Sequence, residues 1–402
     1  MSRNKKRTTF ALLALAVSAF AIGTTEFISV GLLPLIAKDL NISVTTAGLT
    51  VSLYALGVTF GAPILTSLTS KMSRKSLLLW IMVIFILGNS IAAAATSIGI
   101  LLVARVISAF SHGVFMSIGS TIAADLVPEN RRASAISIMF TGLTVATVTG
   151  VPFGTFIGQQ FGWRIAFIVI VAVGILAFIA NSFLVPSDLR KGHRTTFKDQ
   201  IKLVKNGRLL LIFIITALGY GGTFVVFTYL SPLLQNITGF KEEIVAVILL
   251  VYGIAIAIGN MIGGKLSNHN PIKALFYMFI VQAIILIVLY FTAPYKIIGL
   301  VTIFIMGIMA FMNVPGLQVY VVMLAERFVP TAADVASAIN IAAFNAGIAI
   351  GSFLGGLVTD SIGLIHTTWI GALMVLAAVL LTGWSQSLES KEQQQETKDL
   401  AI

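Results

Sequence analysis

The sequence contains no cysteine among its 402 residues, so disulfide bonds and cysteine-ligated metal centres are excluded. Charged residues are also scarce: they make up 10% of the chain, whereas a soluble globular domain has about 25%. So few charges cannot cover a surface that faces water. With 57% hydrophobic residues and a mean hydropathy of +1.00, the chain is predicted to have lipid as its main solvent.

Motifs of soluble enzymes are missing as well. The phosphate-binding loop G-x-x-x-x-G-K-[ST] does not occur, so ATP coupling within this chain is not expected, and no catalytic constellation appears. The net charge of +11 is spread over short stretches without a recognition module beside them, which argues against nucleic acid as a partner. We therefore expect a protein that is not an enzyme and that holds no metal.

Long apolar runs dominate the chain instead. A helix that crosses the hydrocarbon core needs about 20 apolar residues, and the alternation of barrel strands is not seen. We predict an all-α membrane protein with twelve transmembrane helices. The predicted spans are residues 10–37, 44–70, 76–96, 98–125, 132–160, 162–185, 208–236, 243–266, 272–293, 297–324, 333–361 and 365–386.

The basic residues predict the orientation of these spans. If the N-terminus is cytoplasmic, 21 of the 26 Lys and Arg residues fall on the cytoplasmic side, 4 fall on the opposite side, and Arg105 lies inside a span. Cytoplasmic loops are enriched in Lys and Arg. We therefore predict a multi-pass protein of the cytoplasmic (plasma) membrane, bacterial in origin, with both termini in the cytoplasm.

The chain repeats itself at an interval of about half its length. Pro34 and Pro232 are 198 residues apart, as are Tyr54 and Tyr252. A parallel repeat of six spans is an architecture of secondary transporters, so we predict two pseudo-symmetric six-helix bundles. The predicted domains are a first bundle at 1–185, a cytoplasmic linker at 186–207, a second bundle at 208–386 and a cytoplasmic tail at 387–402.

Two polar segments flank the second bundle. FKDQIKLVKN in the linker is predicted to form a short amphipathic helix on the inner membrane surface. SKEQQQETKDL in the tail is charged and rich in glutamine, so we expect it to be disordered.

Span 5 carries small residues at every fourth position, interrupted by a proline. This spacing forms a groove that lets another helix approach closely, and proline removes an amide and kinks the helix. We interpret the set as a hinge, with static helix packing as the alternative, and span 11 repeats the groove without the proline. The residues of span 5 are Gly142, Ala146, Gly150, Pro152, Gly154 and Gly158.

These motifs resemble those of one family. G-L-T-V-A-T-V-T-G-V-P-F-G at 142–154 resembles the antiporter motif of the major facilitator superfamily, and R-V-I-S-A-F-S-H-G at 105–113 resembles its fourth-span motif with a buried arginine. The opening G-T-T-E-F with G-L-L-P is similar to the twelve-span drug:proton antiporters, and among them to the sugar and arabinose efflux-type exporters. The resemblance covers nearly the whole chain and implies proton-driven export.

A single carboxylate, Glu26, interrupts the apolar residues of span 1. An ionisable group inside the membrane is costly and suggests function by default. Arg105 of span 4 is predicted within roughly 5 Å of the same depth, so we expect the two charges to pair and their separation to favour proton uptake. His112 shares a helix face with Arg105 and is a candidate proton relay. A fixed structural ion pair and a satisfied core histidine are the alternatives.

Polar and aromatic residues in otherwise apolar spans are candidates for the substrate cavity. The second half has no charge in the middle of a span, so we expect proton work in the first half and mainly substrate contact in the second. For each asparagine alone, hydrogen bonding between helices is the commoner role. The candidates are Thr25, Ser29, Tyr220, Tyr229, Tyr252, Asn313, Gln318, Asn340 and Asn345.

The loop S-K-M-S-R-K at 70–75 resembles the superfamily's loop signature between spans 2 and 3. That signature usually has an aspartate where this chain has Ser70, which weakens the charge pair that the motif implies. We predict a cytoplasmic gate in which Lys71, Arg74 or Lys75 pairs with Asp125 or Glu129. Plain positive-inside anchoring is the alternative for the basic residues.

Together these features predict a proton-coupled secondary transporter that exports drugs, sugars or related metabolites by alternating access. The residues alone also allow an importer or facilitator of sugars or nucleosides, in which Glu26 binds substrate. A transporter-like sensor or scaffold is disfavoured because the loops and tail are short. The expected partners are a small-molecule substrate, protons as the coupling ion with no other cofactor, and membrane lipid; the chain is expected to be a monomer.

Overall fold

The structure is a computed structural model that describes residues 2–69, 72–128, 132–187, 189, 197–268, 270–330 and 333–399. Within these ranges the regular structure is helical and no strand occurs. Twelve helical segments are long and apolar enough to cross a membrane. The predicted all-α class with twelve spans is therefore confirmed.

The described ranges contain fifteen α-helices. Two of the twelve spans consist of two helices each, and one further helix lies outside the spans. The helices are α1 Ser2–Leu40, α2 Val44–Leu68, α3 Arg74–Ala93, α4 Ile98–Asp125, α5 Arg132–Phe161, α6 Trp163–Leu184, α7 Phe197–Lys205, α8 Gly207–Phe227, α9 Leu230–Asn236, α10 Glu242–Leu266, α11 Pro271–Thr292, α12 Lys296–Ala310, α13 Val314–Phe328, α14 Ala333–Ser361 and α15 Thr367–Asp399.

The contacts divide the chain into two compact units. The first consists of residues 1–197 with 228–254, and the second of residues 198–227 with 255–402. The domain boundaries drawn from the polar linker remain a prediction.

In the first unit, α1 packs closely along α5. A Cβ added at Gly142 of α5 would collide with the backbone carbonyl oxygen of Ala16 in α1. Only glycine therefore allows the two backbones to come this close, as the spacing of small residues predicts.

In the second unit, α8 packs against α14 in the same way. A Cβ added at Gly347 of α14 would collide with the carbonyl oxygen of Ala217 in α8. The two halves of the sequence thus use the same kind of close helix pair, which agrees with the internal repeat.

Two predicted spans are interrupted. The span at 208–236 breaks between α8 and α9 at Thr228 and Tyr229, and the span at 297–324 breaks between α12 and α13 at residues 311–313. Pro315 follows the second break at the start of α13, where its missing amide costs nothing. The prediction of one helix for each span was wrong at these two places. Hydropathy stays high through both breaks and does not reveal them.

The polar segments on either side of the second bundle are both helical where they are described. The linker segment forms α7, Phe197–Lys205, as predicted. The expected disorder of the tail is not found, because α15 continues to Asp399. Glu, Gln and Lys favour helix, and the side chains of Glu389 and Glu392 contact residues of α8 and α13.

Candidate functional site

Arg105 lies at the centre of the polar cluster of the first unit and is fully buried. Its Nε donates to the carbonyl oxygen of Thr50 at 3.1 Å, and its two terminal nitrogens donate to the carbonyl oxygens of Thr25 at 2.7 Å and Glu26 at 3.3 Å. A buried guanidinium needs partners for its donors. Here those partners are backbone atoms of α1 and α2, so Arg105 ties α4 to both helices.

The carboxylate of Glu26 faces His112. Its Oε2 lies 4.0 Å from Nδ1 of the imidazole, and the two side chains are only 11% and 4% exposed. The predicted pairing of Glu26 with Arg105 differs in detail, because the guanidinium contacts the backbone of Glu26 while the carboxylate faces the imidazole. Sequence spacing brings Glu26 and Arg105 to a similar depth and places His112 on the face of α4 that carries Arg105, but it cannot distinguish these two arrangements.

Tyr54 completes the cluster and was not singled out as a site residue by the sequence. Its hydroxyl lies 3.2 Å from Nδ1 of His112, and its ring lies under the guanidinium of Arg105, 4.1 Å from Cζ to the ring centroid. This is the geometry of a cation–π interaction. The signal in the sequence was its repeat partner Tyr252, a tyrosine at the matching position of the second half.

This arrangement can hold a proton at more than one atom. Nδ1 of His112 accepts a hydrogen bond from Tyr54 when it carries no proton, and it donates one when it is protonated, in the Nδ1–H neutral tautomer or in the charged form. The 4.0 Å from Glu26 to that nitrogen exceeds hydrogen-bond length. A proton can therefore pass directly between the carboxylate and the imidazole only after the two side chains approach each other.

The remaining candidates of the first unit lie around this cluster. The hydroxyl of Thr25 donates to Oδ1 of Asn89 at 3.3 Å, and Asn89 is a buried polar residue that the sequence analysis missed. Ser29 is fully buried, and its hydroxyl has no hydrogen-bond partner among the described residues. Tyr229 lies against Gly48, and Tyr252 is buried.

In the second unit a polar network adjoins the break between α12 and α13. Nδ2 of Asn313, in the break, donates to Oε1 of Gln282 at 3.0 Å. Nε2 of Gln282 in turn donates to the carbonyl oxygen of Gly219 at 3.1 Å and to the hydroxyl of Thr223. Oδ1 of Asn313 is buried without a partner among the described residues, so it is available to accept a hydrogen bond. Gln282 was missed, although an amide in an apolar span was a usable signal.

A second network joins three helices of the same unit. The hydroxyl of Thr216 donates to Oδ1 of Asn340 at 2.8 Å, and Nδ2 of Asn340 lies 3.4 Å from Oε1 of Gln318. Asn340 therefore bonds neighbouring helices, as asparagines in membrane spans commonly do. Asn345 donates to the carbonyl oxygen of Ile341 within its own helix, so the two asparagines have different roles.

Tyr220 lies in an aromatic cluster. Its ring centroid is 4.8–5.2 Å from those of Phe224, Phe311 and Phe344. Two of these contacts are edge-to-face, the arrangement that aromatic rings prefer.

The predicted cytoplasmic gate is partly described. Arg74 at the start of α3 forms an ion pair with Asp125 at the end of α4, and Nζ of Lys75 donates to the carbonyl oxygen of Ser182 at 2.8 Å. Lys71 and Glu129 lie outside the described residues. One of the proposed acid–base contacts therefore exists, while its role as a gate remains a prediction.

The glycines of α5 lie against α1. Cβ atoms added at Gly154 and Gly158 would collide with Ile28 and Leu32 of α1, whereas at Gly150 a Cβ would lie 3.4 Å from the nearest atom of α1, Cα of Thr24. The helix runs on through Pro152, which offers no amide to the carbonyl four residues earlier.

That carbonyl belongs to Val148. A Cβ added at Gly253 of α10 would collide with the carbonyl oxygen of Val148. The close approach of α10 therefore occurs at the oxygen that Pro152 leaves without its helical partner.

The predicted outer end of the first unit is held by a cluster that the sequence analysis did not identify. The guanidinium of Arg164 donates to Asp39 at 2.6 Å and to the carbonyl oxygen of Ala95 at 2.8 and 3.0 Å. Nε1 of Trp163 donates to the same carboxylate at 3.0 Å. The F-G-W-R sequence at the start of α6 thus connects α6 to α1. Among the described residues, no group of three His, Asp or Glu side chains could hold a metal ion.

Comparisons with known proteins agree on one family. The model of the Major Facilitator Superfamily matches residues 15–328. YtbD, an uncharacterized MFS-type transporter of Bacillus subtilis, is 82% identical over 385 residues, which cover 96% of this chain and 97% of that protein. The inner membrane transport protein YdhP of Escherichia coli K12 is 36% identical over 373 residues, covering 92% and 95% of the two chains. The putative transporter AraJ of the same organism is 30% identical over 347 residues, covering 86% and 87%.

A solved structure shares the fold. A bacterial homologue of the human lysosomal transporter Spinster, in an inward-facing and occupied conformation, superposes with a TM-score of 0.72 at 16% sequence identity. The match covers 94% of this chain and 97% of that one.

Proposed function

Because the chain belongs to the major facilitator superfamily, we propose that it is a proton-coupled secondary transporter that exports small molecules across the bacterial plasma membrane by alternating access. The relatives that the chain matches are transporters. Proton coupling and export are the further steps of the proposal.

The observation that carries proton coupling is the buried carboxylate of Glu26 beside His112. Both side chains can gain or lose a proton, and they lie 4.0 Å apart. Intramembrane acids and histidines form the proton relays of pumps and transporters. The resemblance of 142–154 to the antiporter motif supports export as the direction.

The proposed role of Arg105 is to position this pair. Its bonds to the backbone of Thr25 and Glu26 fix the segment of α1 that carries the carboxylate. A protonated Glu26 is neutral and loses its attraction to the nearby guanidinium and to a charged imidazole. Loss of the proton restores that attraction, so the protonation state of Glu26 changes the forces between α1 and α4.

The proposed substrate contacts lie mainly in the second unit. Its described spans offer the amides of Gln282, Asn313 and Asn340 and the aromatic ring of Tyr220. Amide and aromatic groups suit neutral or cationic small molecules with hydrogen-bond donors.

Reconstitution into liposomes tests the proposal. A pH-sensitive dye inside the vesicles reports proton movement when members of a panel of neutral sugars, cationic drugs and purines are added in turn. We expect at least one compound to move protons through the native protein and none to do so through Glu26→Gln. Glu243→Gln, which neutralises an exposed acid at the start of α10, is the matched control and should behave as the native protein does.

The same vesicles separate the rival functions. Movement of the compound in the direction opposite to proton flow indicates antiport, which export requires. Movement of the compound in the same direction as the protons indicates symport, which an importer would show. If Glu26→Gln still concentrates the compound when a pH gradient is imposed, the proposed coupling is wrong.

A further inference from the structure

An apolar groove opens on the side of the second unit, where α11 meets the end of α10 and the region of the α12–α13 break. It has a volume of about 430 Å³, within the range of ligand-binding sites, about 300–1,000 Å³. We call it the α11 groove. It is lined by Leu266, Asn270, Lys273, Ala274, Tyr277, Met278, Val281, Met309 and Met312.

The α11 groove faces outward from the unit. Leu266 is 55% exposed, Tyr277 57% and Val281 43%. In a protein with twelve membrane spans, lipid covers exposed apolar surface of this kind within the hydrocarbon region.

Lys273 is the charged residue of the groove. It lies in the first turn of α11 and is exposed, and no carboxylate lies within 4.0 Å of its ammonium group among the described residues. The distribution of basic residues predicts that it lies on the cytoplasmic side.

The internal repeat gives this lysine a counterpart in the first half. At the repeat interval of 198 residues Lys273 corresponds to Lys75, and each lies in the first turn of the third span of its half. Nζ of Lys75 donates to the carbonyl oxygen of Ser182. A lysine thus stands at the start of this span in both halves.

We propose that the α11 groove binds one anionic phospholipid of the cytoplasmic leaflet, with the headgroup phosphate at Lys273 and an acyl chain along Met278 and Val281. Basic pockets between spans on the cytoplasmic side attract acidic lipid headgroups. Tyr277 adds an aromatic ring of the kind enriched where spans meet headgroups.

Native mass spectrometry of the full chain in detergent, titrated with phosphatidylglycerol or phosphatidylcholine, tests this proposal. The native protein should retain one phosphatidylglycerol more tightly than phosphatidylcholine. Lys273→Gln should weaken phosphatidylglycerol binding about fivefold, the contribution of one lysine near an anionic surface, and leave phosphatidylcholine binding unchanged. Ala274→Trp, which fills the groove, should weaken both lipids.

The matched control is Lys205→Gln, which removes an exposed lysine of α7 on the same predicted side of the membrane and outside the groove. Its lipid binding should equal that of the native protein. The proposal is overturned if Lys273→Gln keeps native affinity for phosphatidylglycerol, or if Lys205→Gln loses as much affinity as Lys273→Gln. Lys273 is exposed, so its replacement is not expected to prevent folding, and transport activity is not needed for the measurement.

Discussion

The carboxylate of Glu26 faces the imidazole of His112 across 4.0 Å, while Arg105 binds the backbone that carries this carboxylate. In the proposed mechanism the three side chains divide two tasks between them. Arg105 holds the geometry, and Glu26 and His112 provide the atoms that exchange a proton.

Replacing His112 should change how transport depends on pH. Histidine is the side chain that normally changes charge between about pH 5 and 8. We expect His112→Gln to flatten the pH profile of transport in that range, measured in proteoliposomes as initial rates. His366→Gln is the control, because His366 belongs to the second unit, where it contacts Trp369 and Tyr290. An unchanged profile in His112→Gln would show that the imidazole is only structural.

Two replacements of Tyr54 separate its two interactions. Tyr54→Phe removes the hydrogen bond to His112 and should lower stability by about 1 kcal/mol. Tyr54→Leu also removes the ring under Arg105 and should cost a further 2 kcal/mol or so. Melting temperatures in detergent rank the stabilities of the native protein and the two variants. Equal melting temperatures for the two variants would contradict a contribution from the ring.

Close packing of α5 on α1 predicts different tolerance at two glycines. Gly142→Ala places a methyl group on the carbonyl oxygen of Ala16, and a backbone atom cannot move aside easily; we expect a loss of about 1–3 kcal/mol. Gly150→Ala meets its nearest atom at 3.4 Å and should fold normally. Melting temperatures in detergent give the comparison, and an equal loss in both variants would argue against this packing as the cause.

The contact between Arg74 and Asp125 predicts coupling between the two positions. Both side chains are 13% exposed. In a double-mutant cycle of Arg74→Gln and Asp125→Asn, the two stability losses should fail to add, with a coupling of about 0.5–3 kcal/mol. Lys75→Gln with Asp125→Asn is the control cycle, because Lys75 donates to Ser182 instead. Additive losses in the first cycle would mean that the ion pair contributes nothing.

The helical end of α15 predicts that two truncations differ. A chain ending after Ser387 loses Glu389 and Glu392, the partners of Tyr320 and Arg208, whereas a chain ending after Glu392 keeps both acids. We expect the shorter chain to lose about 1 kcal/mol, as for a partly exposed ion pair, and the longer chain to unfold as the full chain does. If both melt at the native temperature, the acids of α15 are dispensable.

The positions of the spans followed from the sequence because hydropathy is a local property. The two helix breaks did not, since apolar residues continue on either side of Asn313 and only the asparagine and the nearby Pro315 marked the place. A polar residue beside a proline in an apolar span is a signal that the sequence carried and the prediction did not use.

The atoms that meet inside the cluster were less accessible to prediction. Spacing predicted that Glu26 and Arg105 lie at a similar depth and that His112 shares the helix face of Arg105. It did not predict that the guanidinium of Arg105 binds backbone oxygens, which it does because a buried guanidinium needs acceptors for all its donors. Tyr54 was used only as a marker of the internal repeat, since an aromatic ring in an apolar span has no local feature that reveals a cation above it. The helical tail was missed because Glu392 pairs with Arg208 and Arg327, which are distant in sequence.

The link between Arg105 and the backbone of Glu26 also bears on how the protein is made. The two residues are 79 positions apart, and chains grow at about 5–20 residues per second. Arg105 is therefore synthesised roughly 4–16 s after Glu26. During this interval Glu26 must be shielded by the insertion machinery or stay near the membrane surface. The residue proposed to carry the proton therefore also makes the insertion of α1 depend on the later insertion of α4.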